Sequence, residues 1–239
     1  MKILLIGYGK MGQTIEKIAL ERGHTIAGKI GINNRNDLYL FNSSNTDVAI
    51  EFTQPEAALN NLSHCFKNGI KVICGTTGWL DQKAEADLLC NQNNGAFLYG
   101  SNFSIGVNIF FHINKVLAKL MNNFPSYNVV MEEIHHTQKL DAPSGTAITL
   151  AEGVLENFTG KSNWVNAPST NQSDLVITSL REGTVPGTHT TTYSSAIDDI
   201  EIKHTAHSRQ GFALGAVVAA EWIADKTGVF SIEDMLKFN

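Results

Sequence analysis

The sequence has few cysteines and no long apolar run. Its 239 residues include three cysteines, Cys65, Cys74 and Cys90, none in the Cys-x-x-Cys spacing of zinc and redox sites. A sparse, odd set of thiols argues against a disulfide framework and predicts a reduced, cytoplasmic protein without a metal site. No stretch reaches the roughly 18 apolar residues of a membrane span. The first residues also lack a signal-peptide cleavage pattern, so we expect neither a secreted nor a membrane protein.

Positive charge is also scarce. Lysine and arginine number 18 against 23 acidic residues, which gives a formal net charge of −5, and no basic run occurs. This balance argues against a general nucleic-acid binder and against adhesion to anionic membranes. With 43% hydrophobic and 17% charged residues, the composition is that of an ordinary globular protein. We therefore expect a small molecule as the ligand.

The first hundred residues alternate between short apolar runs and segments with helical spacing. Apolar, β-branched runs occur at 2–6, 25–30, 47–52 and 70–74, and helical patterns lie between several of them. Such alternation predicts a parallel sheet with helices on both faces. After residue 103 the pattern changes to a helix, a long strand at 127–135 and a second helix. Polar strands then follow at 175–180, 188–194 and 200–205, which we expect to be antiparallel.

A glycine motif follows the first predicted strand. Gly7, Gly9 and Gly12 form a complete Gly-x-Gly-x-x-Gly pattern that leads into a helix. The first glycine permits a tight turn, the second lets the backbone approach a pyrophosphate, and the third allows close helix–strand packing. The helix N-terminus adds amide donors for an anion. The motif favours dinucleotide binding over the alternative of a purely structural turn.

These patterns together predict an α/β protein with two domains. We expect a Rossmann-type, parallel-sheet dinucleotide-binding domain at residues 1–103. An inserted α+β domain for substrate binding and oligomerisation is expected at 104–211. The C-terminal helices, at 212–239, are expected to return to the first domain.

The acidic residue that usually accompanies this glycine motif is missing from the sequence. An acid is expected about 20 positions after the glycines, where it would hold the adenine ribose. Gly31 stands there instead, and no carboxylate occurs before Asp37. Lys29 or Arg35 would suit a 2′-phosphate, although two solvated surface cations are an equal alternative. NADH and NADPH therefore both stay open.

A second functional signal follows the long strand that ends near His135. His135 and His136 must face opposite sides of that strand, so one of them points into any given cleft. Lys139 follows in a turn, and Ser144 begins a helix whose free amides suit a carboxylate. Proton donors beside an open helix N-terminus indicate an anion site with acid–base chemistry, against the alternative of an ordinary helix cap.

Other polar residues on these strands have simpler interpretations. Glu132 and Glu133 alternate faces on the long strand, and one of them supports His135 from behind; the sequence does not decide which. His189 lies on a polar strand and is expected at the surface or at a subunit contact. His204 and His207 are three residues apart, but no third ligand follows in motif spacing, so we expect no metal there.

The most specific segments of the chain are E-I-H-H at 133–136 with Lys139, and D-A-P-S-G-T-A at 141–147. In these segments the chain resembles the 4-hydroxy-tetrahydrodipicolinate reductase family, also called dihydrodipicolinate reductases, of the diaminopimelate branch of lysine biosynthesis. Supporting segments extend along most of the chain: the glycine motif, E-F-T-Q-P-E at 51–56, G-T-T-G at 75–78, S-N-F-S-I-G-V-N at 101–108, R-E-G at 181–183, and Ser208-Arg209 with Phe212. The family usually carries an acid at or near Gly31, and this chain does not.

The resemblance implies a reaction and a set of site residues. It implies NADH- or NADPH-dependent reduction of a dicarboxylate ring, with His135 as acid/base and Lys139 as proton donor. The substrate would be bound by His136, Lys139, Ser144, Gly145 and Thr146. The cofactor would be bound by Gly7, Tyr8, Gly9, Lys10, Met11, Gly12, Phe52, Gly75, Thr76, Thr77, Ser101, Asn102 and Phe103. Related enzymes are homotetramers built through the substrate-domain sheets, so a homotetramer is implied here.

Two other classes fit part of the sequence. A different dehydrogenase, acting on an amino acid or a semialdehyde, would keep the glycine motif without needing the segment at 135–146. A non-catalytic nucleotide sensor would also keep the motif and would lose the proton donors. The joint presence of His135, His136 and Lys139 argues against both.

Overall fold

The chain folds into two compact units. The computed structural model describes residues 1–208 and 210–238, so Arg209 of the family segments lies outside the described residues. Unit 1 comprises Met1–Ile105 and Gln210–Asn239, and unit 2 comprises Gly106–Arg209. In the described part of the chain, no helix combines the length and the apolar character that crossing a membrane requires.

Unit 1 is built on a six-stranded sheet in which every pairing is parallel. The strands are β1 (Lys2–Ile6), β2 (Thr25–Ile30), β3 (Val48–Glu51), β4 (Lys71–Cys74), β5 (Ala96–Tyr99) and β11 (Gly228–Phe230). The helices are α1 (Lys10–Glu21), α2 (Pro55–Lys67), α3 (Lys83–Gln92), α6 (Gln210–Ile223) and α7 (Ile232–Leu236). The strand order is β11-β5-β4-β3-β1-β2.

Both faces of this sheet are covered because its central strands are apolar on both sides. In β1, Ile3 and Leu5 pack in one cluster with residues of α1 and α6, whereas Leu4 and Ile6 pack in another with residues of α2 and α3. This burial on both faces is what near-continuous apolar strands predict. Cys65, Cys74 and Cys90 all lie buried in the second cluster as free thiols.

Unit 2 has a five-stranded sheet with helices packed on one face. The strands are β6 (Asn128–His135), β7 (Asn163–Val165), β8 (Asp174–Arg181), β9 (Gly187–Ser194) and β10 (Asp199–Ala206), in the order β10-β9-β6-β8-β7. The helices are α4 (Ile105–Met121) and α5 (Gly145–Leu155). Side chains of both helices share a core with alternate residues of the strands, among them Val129, Met131 and Ile177.

One expectation for this sheet is wrong. β9 and β10 are antiparallel as predicted, but β8 runs parallel to β6. The chain between β6 and β8 passes through α5, and a crossover connection of this kind returns the chain in the same direction. The short strands β7 and β11 have three residues each and no period that a sequence pattern could reveal.

Candidate active site

The glycine motif forms a tight turn between β1 and α1. Gly7 has φ of +98°, and a Cβ there would lie 1.8 Å from the carbonyl oxygen of Phe52. A Cβ on Gly12 would lie 2.3 Å from the Gly7 carbonyl oxygen, so both positions exclude any side chain. A Cβ on Gly9 would meet no atom within 4 Å. Because no side chain caps α1 at Gly9, the first amides of the helix are open to an anion.

A cleft of about 700 Å³ adjoins this turn. It lies where β1 stands between β2 and β3 and the strand order reverses, the position at which open α/β sheets bind ligands. Its lining includes Gly7, Tyr8, Gly9 and Phe52, four of the predicted cofactor residues, together with Gly31. The volume suits a small-molecule ligand, and the open turn suits a phosphate. The residues present therefore fit a dinucleotide.

Two cations border this region, and they differ in their partners. The Lys29 ammonium lies 2.5 Å from a Glu16 carboxylate oxygen and over the Tyr8 ring, 4.9 Å from its centroid. The Glu16 carboxylate raises the pKa of Lys29 above its usual value. Arg35 is exposed and lines the cleft, and the described residues offer it no ion pair within 4.0 Å. Arg35 is thus the cation left available at the cleft.

A buried carboxylate that the sequence did not single out organises the neighbouring loops. Glu51 ends β3 with 0% exposure, and it accepts hydrogen bonds from Thr76 Oγ1 at 2.7 Å and Asn61 Nδ2 at 3.2 Å. Thr53 Oγ1 also donates to it, and the Thr53 amide donates to Thr76 Oγ1 at 2.7 Å. Glu51 thereby joins the end of β3 to the loop after β4. The signal available in the sequence is an acid closing an apolar strand.

The remaining predicted cofactor residues differ in exposure. Thr76 and Phe103 are buried, with 3% and 2% exposure, so their side chains support the loops from inside. Lys10, Thr77 and Ser101 are exposed; Met11, Gly75 and Asn102 are half-buried. The Phe52 ring packs against Gly75, where a Cβ would lie 2.2 Å from the ring, and its centroid is 5.7 Å from that of Phe103.

In unit 2 the end of β6 places one histidine and one glutamate in the interior. His135 and Glu133 lie on the helix-covered face, with 7% and 0% exposure. Glu132 is exposed on the other face, and His136 is half-buried. The alternation predicted for this strand is therefore present. Glu133, rather than Glu132, is the carboxylate on the side of His135.

The Glu133 carboxylate is held from several sides. Both of its oxygens accept the Ser144 amide at 3.1 Å, and Oε1 accepts the Ser179 hydroxyl at 2.8 Å. Arg181 places its Nη2 3.4 Å from Oε1. Burial alone would raise the pKa of Glu133, but the hydrogen bonds from Ser144 and Ser179 outweigh it and hold the pKa below its usual value. The group is therefore a carboxylate at neutral pH.

His189 joins this cluster, although its polar strand predicts a position at the surface or at a subunit contact. It has 5% exposure because Glu133 and His189 are directly paired across β6 and β9, on the face that α5 covers. Its Nε2 lies 3.2 Å from Ser144 Oγ and 3.7 Å from Glu133 Oε2. Its ring meets that of His135 edge to face, with centroids 5.1 Å apart. Burial lowers the pKa of His189 to about 4, so the ring is neutral at neutral pH.

The Glu133, His135 and His189 ligand-type atoms lie within 4.8 Å of one another. That spacing would accommodate a cation. However, the Arg181 guanidinium already contacts the same carboxylate and supplies positive charge there. We assign no metal to this cluster.

Lys139 and the start of α5 complete the site of unit 2. The Lys139 ammonium contacts both carboxylate oxygens of Asp141, at 2.8 and 2.7 Å, and this contact lowers the pKa of Asp141. Arg181 donates to the carbonyl oxygens of both residues, at 3.3 and 2.6 Å, and so anchors their loop. Ser144 caps α5 by accepting the Ala147 amide at 3.2 Å. A Cβ on Gly145 would meet nothing within 4 Å, so the helix N-terminus is open.

Comparison with known proteins identifies the family of both units. Residues 1–103 match the family model described as dihydrodipicolinate reductase, N-terminus, and residues 106–236 match the model described as dihydrodipicolinate reductase, C-terminus. A 4-hydroxy-tetrahydrodipicolinate reductase from Christiangramia forsetii is 52% identical over 99% of this chain and 98% of its own. The reductase of the same name from Neisseria gonorrhoeae is 34% identical over 94% of this chain and 84% of its own.

Solved structures share the fold at lower identity. A dipicolinate-bound dihydrodipicolinate reductase from Paenisporosarcina sp. TG-14 matches with a TM-score of 0.78 and 21% identity, covering 97% of both chains. An amine dehydrogenase from Mycobacterium smegmatis matches with a TM-score of 0.57 and 11% identity, over 96% of this chain and 94% of its own. The fold alone therefore extends to other dehydrogenases, whereas the sequence matches name one family. This chain belongs to the dihydrodipicolinate reductase family.

Proposed function

We propose that this chain reduces 4-hydroxy-tetrahydrodipicolinate to tetrahydrodipicolinate with NADH or NADPH, using the cleft of unit 1 for the cofactor and the His135 cluster of unit 2 for the substrate. The observation that carries the proposal is the joint presence of proton donors and an open helix N-terminus in unit 2. Family membership over the whole chain supports the same reaction. A different dehydrogenase would not need the segment at 135–146, and a nucleotide sensor would not need the proton donors.

The residues of unit 2 have separate tasks in this proposal. The amides of Gly145 and Thr146, with the Ser144 hydroxyl, bind one substrate carboxylate at the start of α5. Lys139 and His136 bind the second carboxylate, and Lys139 leaves Asp141 to do so. Two fixed carboxylates orient the ring for reaction. A reduced nicotinamide held in unit 1 would supply the hydride. His135 or Lys139 supplies the proton, and the 4-hydroxyl group of the substrate is lost as water.

The activity is tested by following the oxidation of NADH and NADPH at matched concentrations. The unstable substrate is generated in the cuvette from pyruvate and aspartate semialdehyde by the preceding synthase. We expect absorbance loss that requires both the synthase and this protein. Binding of either cofactor without turnover would contradict the proposal and favour a sensor.

We further propose that Arg35 gives this site its capacity for NADPH. Gly31 stands where a ribose-binding acid would repel a 2′-phosphate, and Arg35 lines the same cleft. Lys29 is already engaged by Glu16 and is the weaker candidate.

Replacing Arg35 with alanine is expected to raise the KM for NADPH by about 10-fold or more, since a hydrogen bond to a charged group is worth about 1.5–3 kcal/mol. The KM for NADH is expected to stay within about twofold. Steady-state kinetics with both cofactors check this, and Lys29→Ala compares the weaker candidate cation, for which a smaller rise in the KM for NADPH is expected. Equal losses for the two cofactors would contradict a 2′-phosphate contact.

The oligomeric state is a separate proposal, a homotetramer built through the sheet of unit 2. The face of this sheet opposite the helices carries Val130, Ile134, Val176 and Leu180, and Val130 is 38% exposed. Apolar side chains on a strand face are a natural subunit contact. Light scattering is expected to give four times the 26.1 kDa chain mass, and Val130→Lys is expected to give a smaller species. An unchanged mass in the variant would place the contact elsewhere.

The predicted cytoplasmic location also stays a proposal. It is supported by three free and buried cysteines, which need no oxidising compartment.

A further inference from the structure

Glu133 contacts two groups of the proposed site without itself binding substrate or cofactor in the proposed reaction. Its Oε2 lies 3.4 Å from His135 Nδ1, while the same carboxylate accepts the Ser144 amide at the start of α5. One buried group therefore touches both His135, one of the two proposed proton donors, and the proposed carboxylate-binding helix. Glu133 thus connects two parts of the site.

The contact between Glu133 and His135 is close but not a well-aligned hydrogen bond. His135 Nδ1 is buried and has no hydrogen-bond partner among the described residues. In enzymes without bound ligand, such hydrogen bonds are often long and tighten when the substrate binds. The second ring nitrogen, Nε2, lies beside Gly187: a Cβ built on Gly187 would be 3.0 Å from it. Nδ1 thus faces the carboxylate, and Nε2 is the nitrogen left for proton transfer.

We propose that Glu133 is a positioning residue that orients the imidazole of His135 and balances the positive charge of its protonated form. This inference rests on the proposed function, in which His135 exchanges a proton with the substrate. His189 assists by closing the other side of the ring, edge to face at 5.1 Å between centroids. A neutral His189 adds no charge that would oppose protonation of His135.

The pKa of His135 depends on the balance between its burial, the neighbouring positive charges and the Glu133 carboxylate. Burial lowers the pKa of His135, and the Glu133 carboxylate opposes that effect. The other groups that face the cluster are cations or ionisable rings: His136 and Lys139 in the loop after β6, Arg181 on β8, His189 on β9, and His204 on β10. Asp141 affects the cluster through its ion pair with Lys139, because the Asp141 carboxylate offsets the positive charge of that ammonium. Without Glu133, burial and these cations would act on His135 unopposed.

Glu133→Gln removes the negative charge and keeps the side-chain length, so the pKa of His135 should fall by about one to three units. A proton donor works in its protonated form. The loss of kcat/KM with rising pH should therefore begin at a lower pH in the variant. Above the pKa, each unit of fall costs about tenfold in the protonated fraction.

The experiment measures the His135 pKa directly, by NMR titration of the imidazole in the full-length protein, together with pH profiles of kcat/KM. Ser179→Ala is the matched control, because it removes one hydrogen bond from the same carboxylate and leaves the charge in place. We expect a fall of at least about one unit in Glu133→Gln and less than half of that in Ser179→Ala.

The outcomes separate this inference from the proposed function. An unchanged or raised His135 pKa in Glu133→Gln would overturn the positioning role, whatever the activity. A wild-type pH profile that does not follow the His135 pKa would instead overturn His135 as the proton donor. Should Glu133→Gln fail to fold, Glu133→Asp keeps the charge but withdraws it by one methylene. A smaller fall is then expected, and no fall would refute the proposal.

Discussion

Replacing Lys139 with methionine is expected to lower kcat by between about 100-fold and 10,000-fold, the range that a positioned proton donor contributes. Methionine keeps the apolar stem of the half-buried side chain and removes the ammonium that now pairs with Asp141. The KM for the substrate should also rise, by about 10-fold, because the same ammonium is proposed to bind a carboxylate. Steady-state kinetics with the coupled synthase measure both.

The control for this variant is Lys119→Met, since Lys119 is exposed on α4. Its kinetics should equal those of the wild type. Asp141→Asn adds a second comparison, because it releases Lys139 without removing it and should leave kcat within a few-fold. If Lys139→Met raised KM while kcat stayed unchanged, Lys139 would bind substrate without donating the proton.

Replacing Glu51 with leucine is expected to lower the free energy of unfolding by about 3 kcal/mol. Leucine has a similar volume but no acceptor, so Thr53, Asn61 and Thr76 would each lose a buried partner. Loosening of Thr53 and Thr76 should also raise the KM for the cofactor. Urea unfolding followed by circular dichroism gives the stability, and kinetics give the KM.

Glu85→Leu makes the same chemical change at an exposed position on α3 and should change stability by no more than about 0.5 kcal/mol. A Glu51→Leu protein as stable as the wild type would show that the hydroxyl and amide donors find other partners. The organising role given to Glu51 would then be wrong.

The sequence predicts most of unit 1 because several independent signals agree there. Apolar runs, helical spacing and the glycine motif all indicate a parallel sheet, and each central strand is present within one or two residues. In unit 2, the strand direction of β8 was not predictable from its polarity, because parallel or antiparallel pairing depends on how the connection crosses the sheet.

The site was predictable where the chemistry is local in the chain. Lys139, Ser144 and the histidines at 135 and 136 lie within a dozen residues, and alternation on β6 correctly placed Glu132 and Glu133 on opposite faces. His189 and Arg181 were not predictable, since they reach the cluster by strand pairing from more than 40 positions away. Glu51 was missed for a similar reason, because its partners lie on other elements.

The three buried thiols of unit 1 bear on how this protein tolerates oxidants. Burial raises the pKa of each, to about 11 for Cys90 and further for Cys65 and Cys74, so the reactive thiolate is nearly absent at neutral pH. Reagents in solution can reach these sulfurs only when the packing around α2, α3 and β4 opens. The rate of thiol labelling therefore measures how often the packing around these cysteines in unit 1 opens.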